Sequence, residues 1–148
     1  MGRYISTKVF DNFSVALRQH KAKHSHCQLL HGYAFRIKVW FSAESLDDMN
    51  WVVDFGGFGR MGLKEWLNDL LDHTTLIEKD DPYLDLFKDM AMSGLIKLKV
   101  MDKMGCEGLA EYIFNKFNNT LSKQDGGRCR VIKVEVFENN KNSGIYEE

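Results

Sequence analysis

Proline is nearly missing from this 148-residue chain: Pro82 is the only one. That excludes proline-rich linkers, and Pro82, directly after Asp81, reads as a helix start, with Asp81 as the cap. Cysteine is scarce too. Cys27, Cys106 and Cys129 are too few and too scattered for a disulfide framework, so a reducing, cytoplasmic setting is expected and the thiols are free for chemistry. No apolar run approaches the roughly 20 residues that span a bilayer, and the start of the chain lacks the apolar stretch of a secretory signal. Charge of one sign is absent as well. Twenty basic against 21 acidic residues leave a net charge of −1, so no global field argues for nucleic acid or an acidic membrane as partner. Neither internal repeats nor low-complexity segments occur. What is present is a 44% apolar, 28% charged composition, ordinary for a soluble globular protein and long enough for one domain, residues 1–148.

The pattern along the chain predicts an α+β fold in the order β-β-α-α-β-α-β. Arg3 to Leu17 reads as a strand with Phe13, Val15 and Leu17 on one face. A polar, basic loop follows from Arg18 to Ser25. Tyr33, Phe35, Ile37, Val39 and Phe41 alternate strictly, opposite Ala34, Arg36, Lys38 and Trp40. Leu63, Leu67, Leu70 and Leu71 are helically spaced, and a short helix runs from Pro82 through Met90 to Gly94. Leu95 to Met101 reads as a strand, Leu109 to Phe117 as an amphipathic helix, and Arg130 to Glu138 as the last strand.

Several residues could carry chemistry. His24, His26, Cys27 and His31 fall within eight positions where a loop enters a strand, and imidazoles and thiols bind metals or move protons near neutral pH. A polar loop with chance histidines explains them equally well. Asp72-His73 follows a helix end, where a carboxylate can orient an imidazole; a histidine meeting the helix dipole is the plainer explanation. Glu138 ends the stripe Ile132, Val134, Val136, and a carboxylate there is shaped for the N–H pair of a guanine-like or pterin ring, unless the strand simply emerges into solvent. Glu107, in the first turn of its helix, also suits the macrodipole. Arg18, Lys21 and Lys23 could meet a phosphorylated substrate or form a solvated loop.

Together these pieces resemble the 6-pyruvoyl-tetrahydropterin synthase / 6-carboxy-tetrahydropterin synthase family. The resemblance rests on Phe13-Ser14-Val15-Ala16-Leu17, Cys27-Gln28-Leu29-Leu30-His31-Gly32-Tyr33, Val53-Asp54-Phe55-Gly56, Leu71-Asp72-His73, Met104-Gly105-Cys106-Glu107-Gly108-Leu109-Ala110 and Val134-Glu135-Val136-Phe137-Glu138, in register from about Tyr4 to Tyr146. It implies the tunnelling fold, an antiparallel sheet with helices on one face. It also implies ring-shaped assembly, usually a hexamer made of two trimers, with active sites at subunit interfaces. The implied enzyme is a lyase for 7,8-dihydroneopterin triphosphate. One branch eliminates triphosphate to give 6-pyruvoyl-tetrahydropterin; the other cleaves the side chain to 6-carboxy-tetrahydropterin on the route to queuosine. By the same resemblance Cys27 abstracts a proton, Asp72 and His73 complete an acid–base relay, and Glu138 anchors the pterin, with Glu107 as a second substrate-binding residue.

The zinc site departs from the family pattern. Of the three histidine positions, the first holds Leu17 and the third Tyr33, so His31 alone remains, with His26 and His24 as possible replacements. Three protein ligands are the norm at a catalytic zinc. Gly105 stands where the family has threonine. Two further readings stay open: a metal-independent enzyme of the dihydroneopterin aldolase kind, and a non-catalytic pterin- or purine-binding protein of the same fold.

Overall fold

In the computed structural model, which describes residues 2–148, the chain runs β1 (Tyr4–Leu17), β2 (His31–Ala43), α1 (Gly57–Arg60), α2 (Leu63–Leu71), β3 (Thr74–Glu78), α3 (Leu84–Met92), β4 (Lys97–Met101), α4 (Cys106–Leu121), β5 (Arg130–Phe137) and β6 (Ser143–Glu147). All six strands form one sheet in the order β4-β3-β1-β2-β5-β6. β1, β2, β5 and β6 pair antiparallel, whereas β3 runs parallel to β1 and to β4. The sheet is therefore mixed rather than purely antiparallel. The reason is connectivity: α3 is the crossover that returns the chain so that β4 follows β3 in the same direction, and β2, antiparallel to β1, intervenes along the chain between β1 and β3 and leaves those two parallel.

The strict alternation in β2 places Phe35, Ile37, Val39 and Phe41 in the core at 3% exposure or less. The core-facing side chains of α2 and α4, among them Leu67, Leu71, Ile113 and Phe117, cover that face and are fully buried. Phe10, Phe41, Phe58 and Phe117 pack with ring centroids 5.2–6.5 Å apart. In β1 the inward residues Phe10 and Phe13 are three apart, out of phase for a regular strand. A bulge absorbs the mismatch, with Asn12 at φ 66°, so that Phe13, Val15 and Leu17 stay inside as expected.

Two elements escape the periodicity. β3, Thr74-Thr75-Leu76-Ile77, is buried on both faces and so carries no alternation. β6 is a short edge strand whose Gly144 crosses the first turn of α4. A Cβ there would lie 2.6 Å from the Glu107 backbone nitrogen and 2.7 Å from the Cys106 Cβ; only glycine lets strand and helix approach so closely.

Asp81-Pro82 does not open α3 directly. Asp81 accepts the Tyr83 N–H at 2.9 Å, and the helix begins at Leu84. The main partner of Asp81 is Arg18, whose Nε and Nη2 grip its carboxylate at 2.6 and 3.2 Å. A third guanidinium bond, 3.1 Å long, goes to the Gln28 carbonyl. The Asp81 side chain has no exposure and Arg18 has 18%. The loop from Arg18 to Gln28 is thereby fastened to the turn after β3. His20 and Lys21 add outer pairs to Glu78 and Asp80, and the Lys21 and His20 bonds hold the Asp80 carboxyl down at about 2.

Removing one partner of the inner pair strands a buried charge. We expect Asp81→Ala to lose about 3–5 kcal/mol of stability, read as a lower urea midpoint at unchanged slope. A loss below about 1 kcal/mol would show that the fork does not hold the loop.

Candidate functional site

The core face of the sheet ends in an open cleft of about 200 Å³ where β1, β2 and β5 outrun the helices. Its walls are Leu17 from β1, Phe35 from β2, Glu138 just past β5, Asn142 and Ser143 at the start of β6, and Gly105, Cys106 and Glu107 at the start of α4; Gln19 closes the side after β1. Both substrate-binding candidates, Glu138 and Glu107, thus face one cleft. A wider hollow of about 520 Å³ near Tyr4, Trp51 and Phe55 has Asp54 as its sole charged group, and that carboxylate is spent on Arg60. Of these two, the carboxylate-rich cleft is the better equipped chemically.

Cys106 is a residue that the sequence reading left without a role. Its Sγ lies 4.0 Å from Glu138 Oε2. Burial, then the charges of Glu138 and Glu107, push its thiol up to about 12, so it stays protonated and faces Glu138 as a weak S–H donor. The available signal was its place between Gly105 and Glu107 at a helix start. Tyr33 is half-buried on the same face, stacked on Phe35 with centroids 5.9 Å apart and edge-on to His31 at 5.1 Å. Burial raises its phenol first, followed by the nearness of Glu138, Cys27 and Cys106. One neutral phenol therefore stands within electrostatic range of Glu138 and Cys27.

Cys27 sits half-buried in a single 3-10 turn, His26–Gln28, whose N-cap Ser25 accepts the Cys27 N–H at 3.1 Å. The Cys27 carbonyl accepts the Gln19 N–H at 2.8 Å, which ties this turn to the rim of the cleft. His31 makes a 2.6 Å bond from Nδ1 to the Leu29 carbonyl. A carbonyl can only accept, so Nδ1 carries the proton and Nε2 is left as the outward nitrogen.

Asp72 and His73 stand elsewhere. They form a pair, Nδ1 to Oδ1 3.1 Å, because His73 takes φ 57° as α2 ends and donates its backbone N–H to Ser14. That left-handed conformation is costly for a non-glycine residue. Two strands, β1 and β2, separate them from β5, which at about 4.8 Å per step is roughly 14 Å. The His73 side chain is 82% exposed. Within one chain, then, Glu138, Glu107, Tyr33 and the Cys27 turn are brought together, and the Asp72–His73 pair is not.

The residues at the three zinc positions do not fit zinc. Leu17 is directly opposite His31 in the strand register and 4% exposed, and Tyr33 offers a neutral phenol. His24 and His26 are exposed in the loop and do not gather with His31. Among the described residues, the group that converges is His20, Glu78 and Asp80, within 4.8 Å. Lys21 already places its ammonium 2.9 Å from Asp80 and 3.9 Å from Glu78, so that group is a satisfied ion-pair cluster. Of the loop's cations, Arg18 and Lys21 are engaged with Asp81 and Asp80 rather than free for a phosphate.

The thiolate is the reacting form of cysteine. Between pH 7 and 9, Cys106 holds roughly a thousandfold less thiolate than a thiol at 9.0, so iodoacetamide should spare it in the folded protein. Glu138→Gln removes a neighbouring negative charge and should speed its alkylation, followed by peptide mass spectrometry. Labelling of wild-type Cys106 as fast as in urea would contradict this electrostatic account.

Comparison with known proteins agrees with this architecture. The model of the 6-pyruvoyl tetrahydropterin synthase family matches residues 5–148. The 6-carboxy-5,6,7,8-tetrahydropterin synthase of Aquifex aeolicus is 25% identical over 125 residues, covering 82% of this chain and 76% of that enzyme. The enzyme of the same name from Rickettsia conorii is 31% identical over 55 residues, covering 37% of this chain. That match spans 39% of the Rickettsia enzyme's length. Among solved structures, an uncharacterized protein from Wolinella succinogenes superposes with a TM-score of 0.82 at 19% identity, covering 100% of this chain and 99% of that one. Caenorhabditis elegans 6-pyruvoyl tetrahydropterin synthase gives 0.66 at 21% identity, covering 100% and 97%. These likenesses show the fold.

Proposed function

The chain belongs to the 6-pyruvoyl tetrahydropterin synthase family, and from that membership we propose that it is a cytoplasmic pterin synthase-like lyase acting on 7,8-dihydroneopterin triphosphate. Its product is 6-pyruvoyl-tetrahydropterin, or 6-carboxy-tetrahydropterin on the way to queuosine. The observation that carries this reading is the cleft: two carboxylates, Glu138 and Glu107, line it together with the buried apolar side chains of Leu17 and Phe35, with the Cys27 turn fastened to its rim through Gln19.

A flat ring enters the cleft and presents its N–H edge to Glu138, a bidentate acceptor for two parallel donors. The side chain then extends toward Tyr33 and Cys27. Both product outcomes begin with loss of a proton from a side-chain carbon, and Cys27 is the base. The electron pair left on that carbon passes into the conjugated C=N of the ring, whose nitrogen takes up a proton, while the neutral Tyr33 O–H can hydrogen-bond a side-chain hydroxyl oxygen. In triphosphate elimination the electron pair of a second C–H bond, on the carbon beside the leaving group, forms the C=C of an enol as the C–O bond to triphosphate breaks, and the enol then ketonises.

Asp72 and His73 supply the acid–base relay from a neighbouring protomer. Their pairing and exposure suit a contribution across an interface, and we propose a homo-oligomer, a hexamer of two trimers, in which that interface forms. No step runs through a metal, because the zinc positions hold Leu17 and Tyr33. This sets the reading closer to metal-free acid–base chemistry than the family pattern alone implies.

Purified protein should consume 7,8-dihydroneopterin triphosphate, followed by liquid chromatography of the pterins. Cys27→Ala should lower the rate at least a hundredfold, in line with loss of a positioned base, and a chelator should leave the wild-type rate unchanged. Turnover in Cys27→Ala at the wild-type rate would remove Cys27 from the mechanism; inactivation by chelator would refute the metal-free route.

A further inference from the structure

Gln19 enters neither the sequence motifs nor the chemistry above, yet it lies where two parts of the site meet. The hydrogen bonds that fix it to the chain are made by its backbone: its N–H to the Cys27 carbonyl at 2.8 Å, and its carbonyl from the Ala22 N–H at 3.0 Å. The side chain turns into the cleft with Glu138 and Glu107. Its reach is set by a glycine. A Cβ on Gly105 would come within 3.2 Å of Gln19 Nε2 and 3.6 Å of Glu107 Oε2, so amide and carboxylate tips crowd over the same bare backbone. Gly105 has φ 108°, a conformation that already favours glycine.

Most other polar groups of the cleft differ in kind. Glu138 and Glu107 only accept when ionised. The Cys106 S–H is directed at Glu138, and the Ser143 hydroxyl is spent on Glu135 at 2.7 Å. Asn142 is a second amide, in the turn that follows Glu138, its backbone carbonyl accepting the Glu138 N–H at 3.2 Å. Gln19 is the amide whose Nε2 reaches over Gly105 beside Glu107, next to carboxylates that need a donor-edged ligand.

We propose that Gln19 is a specificity residue that reads the carbonyl oxygen of a 2-amino-4-oxo fused pyrimidine. This inference rests on the pterin reading of the cleft. A carboxylate that takes the ring N–H and the 2-amino group leaves the adjacent ring oxygen as an unmatched acceptor. An amide N–H beside the carboxylate matches it. A 4-amino ring would meet that N–H with another donor or make the amide turn its oxygen inward and its N–H pair away from the carboxylates, so the hydrogen bond gained with the 4-oxo ring is forfeited.

Fluorescence quenching of two probes, 2-amino-4-oxopteridine and 2,4-diaminopteridine, tests the assignment in the full chain. Gln19→Met keeps the length and removes the donor; it should weaken 4-oxo binding roughly tenfold, as loss of one hydrogen bond implies, and change diamino binding less than about twofold. Gln19→Glu puts an acceptor in place of the donor and should shift preference toward the diamino ring. Circular dichroism checks that both variants fold. Equal affinities in wild type and Gln19→Met, or equal losses for both probes, would overturn the role of Gln19 while leaving the pterin cleft standing. A wild-type protein that binds neither probe would overturn the pterin reading and this inference with it.

Discussion

One buried fork, Arg18 on Asp81, sets the geometry on which the candidate site depends. The loop after β1 carries Gln19 and the Cys27 turn but has no apolar side chain deep in the core; Ala22, Ser25, Cys27 and Gln28 are half-buried and the rest of its tip is exposed. What fixes it is polar. Arg18 spans from the Asp81 carboxylate to the Gln28 carbonyl, so a single guanidinium binds both ends of the loop to the turn after β3. A buried pair of this kind is weak evidence for added stability, since desolvation offsets much of the attraction. Its planar, two-toothed geometry does define direction. The outer pairs at Glu78 and Asp80 add little energy at the surface but follow the same direction, and the Met104 N–H on Glu78 at 3.3 Å carries the link on to the approach of α4.

Much of this architecture was legible from the residues. Alternation in β2 and β5 and helical spacing in α2 and α4 reflect burial on one side, and one-sided burial leaves a period in the sequence. β3 was not legible as a strand, because burial on both faces erases that period. The mixed pairing of the sheet followed from the same omission. Without β3 there is no parallel neighbour for β1. The Arg18–Asp81 pair was hidden for a different reason: 63 positions separate its members, and nothing local distinguishes a buried arginine from a solvated one. Arg18 therefore read as a phosphate contact or a solvated loop residue, and its charge is committed to Asp81 instead.

The site was legible in part, along the same division. Glu138 announced itself as a carboxylate closing an apolar stripe, and Glu107 by its motif; both do face the cleft. Cys106 and Gln19 did not, since each gains meaning from backbone that approaches it from afar: β6 crossing α4 at Gly144, and Gly105 opening the space that Gln19 enters. Asp72 and His73 were legible as a pair, and the pair forms. Their distance from Glu138 is a property of strand order, which no motif encodes.

The electrostatics of the cleft also decide what it can receive. Burial, joined by the charges of Glu138 and Glu107, pushes the Cys106 thiol up to about 12, and burial followed by the nearness of Glu138 raises the Tyr33 phenol. Such a cleft keeps that thiol and that phenol neutral and presents acceptors. Either a cation or a ligand with several N–H donors would relieve it. A cation needs ligands converging on a point, and among the described residues the convergent group lies at His20, Glu78 and Asp80, outside this cleft and already balanced by Lys21. The cleft instead sets its acceptors beside the buried apolar side chains of Leu17 and Phe35. Apolar contact with acceptors at the edge suits a planar heterocycle, whose faces want burial and whose edge wants partners. The burial that makes Cys106 a poor nucleophile also sets its S–H against Glu138, and the other thiol near the cleft, Cys27, lies in the turn that Arg18 holds.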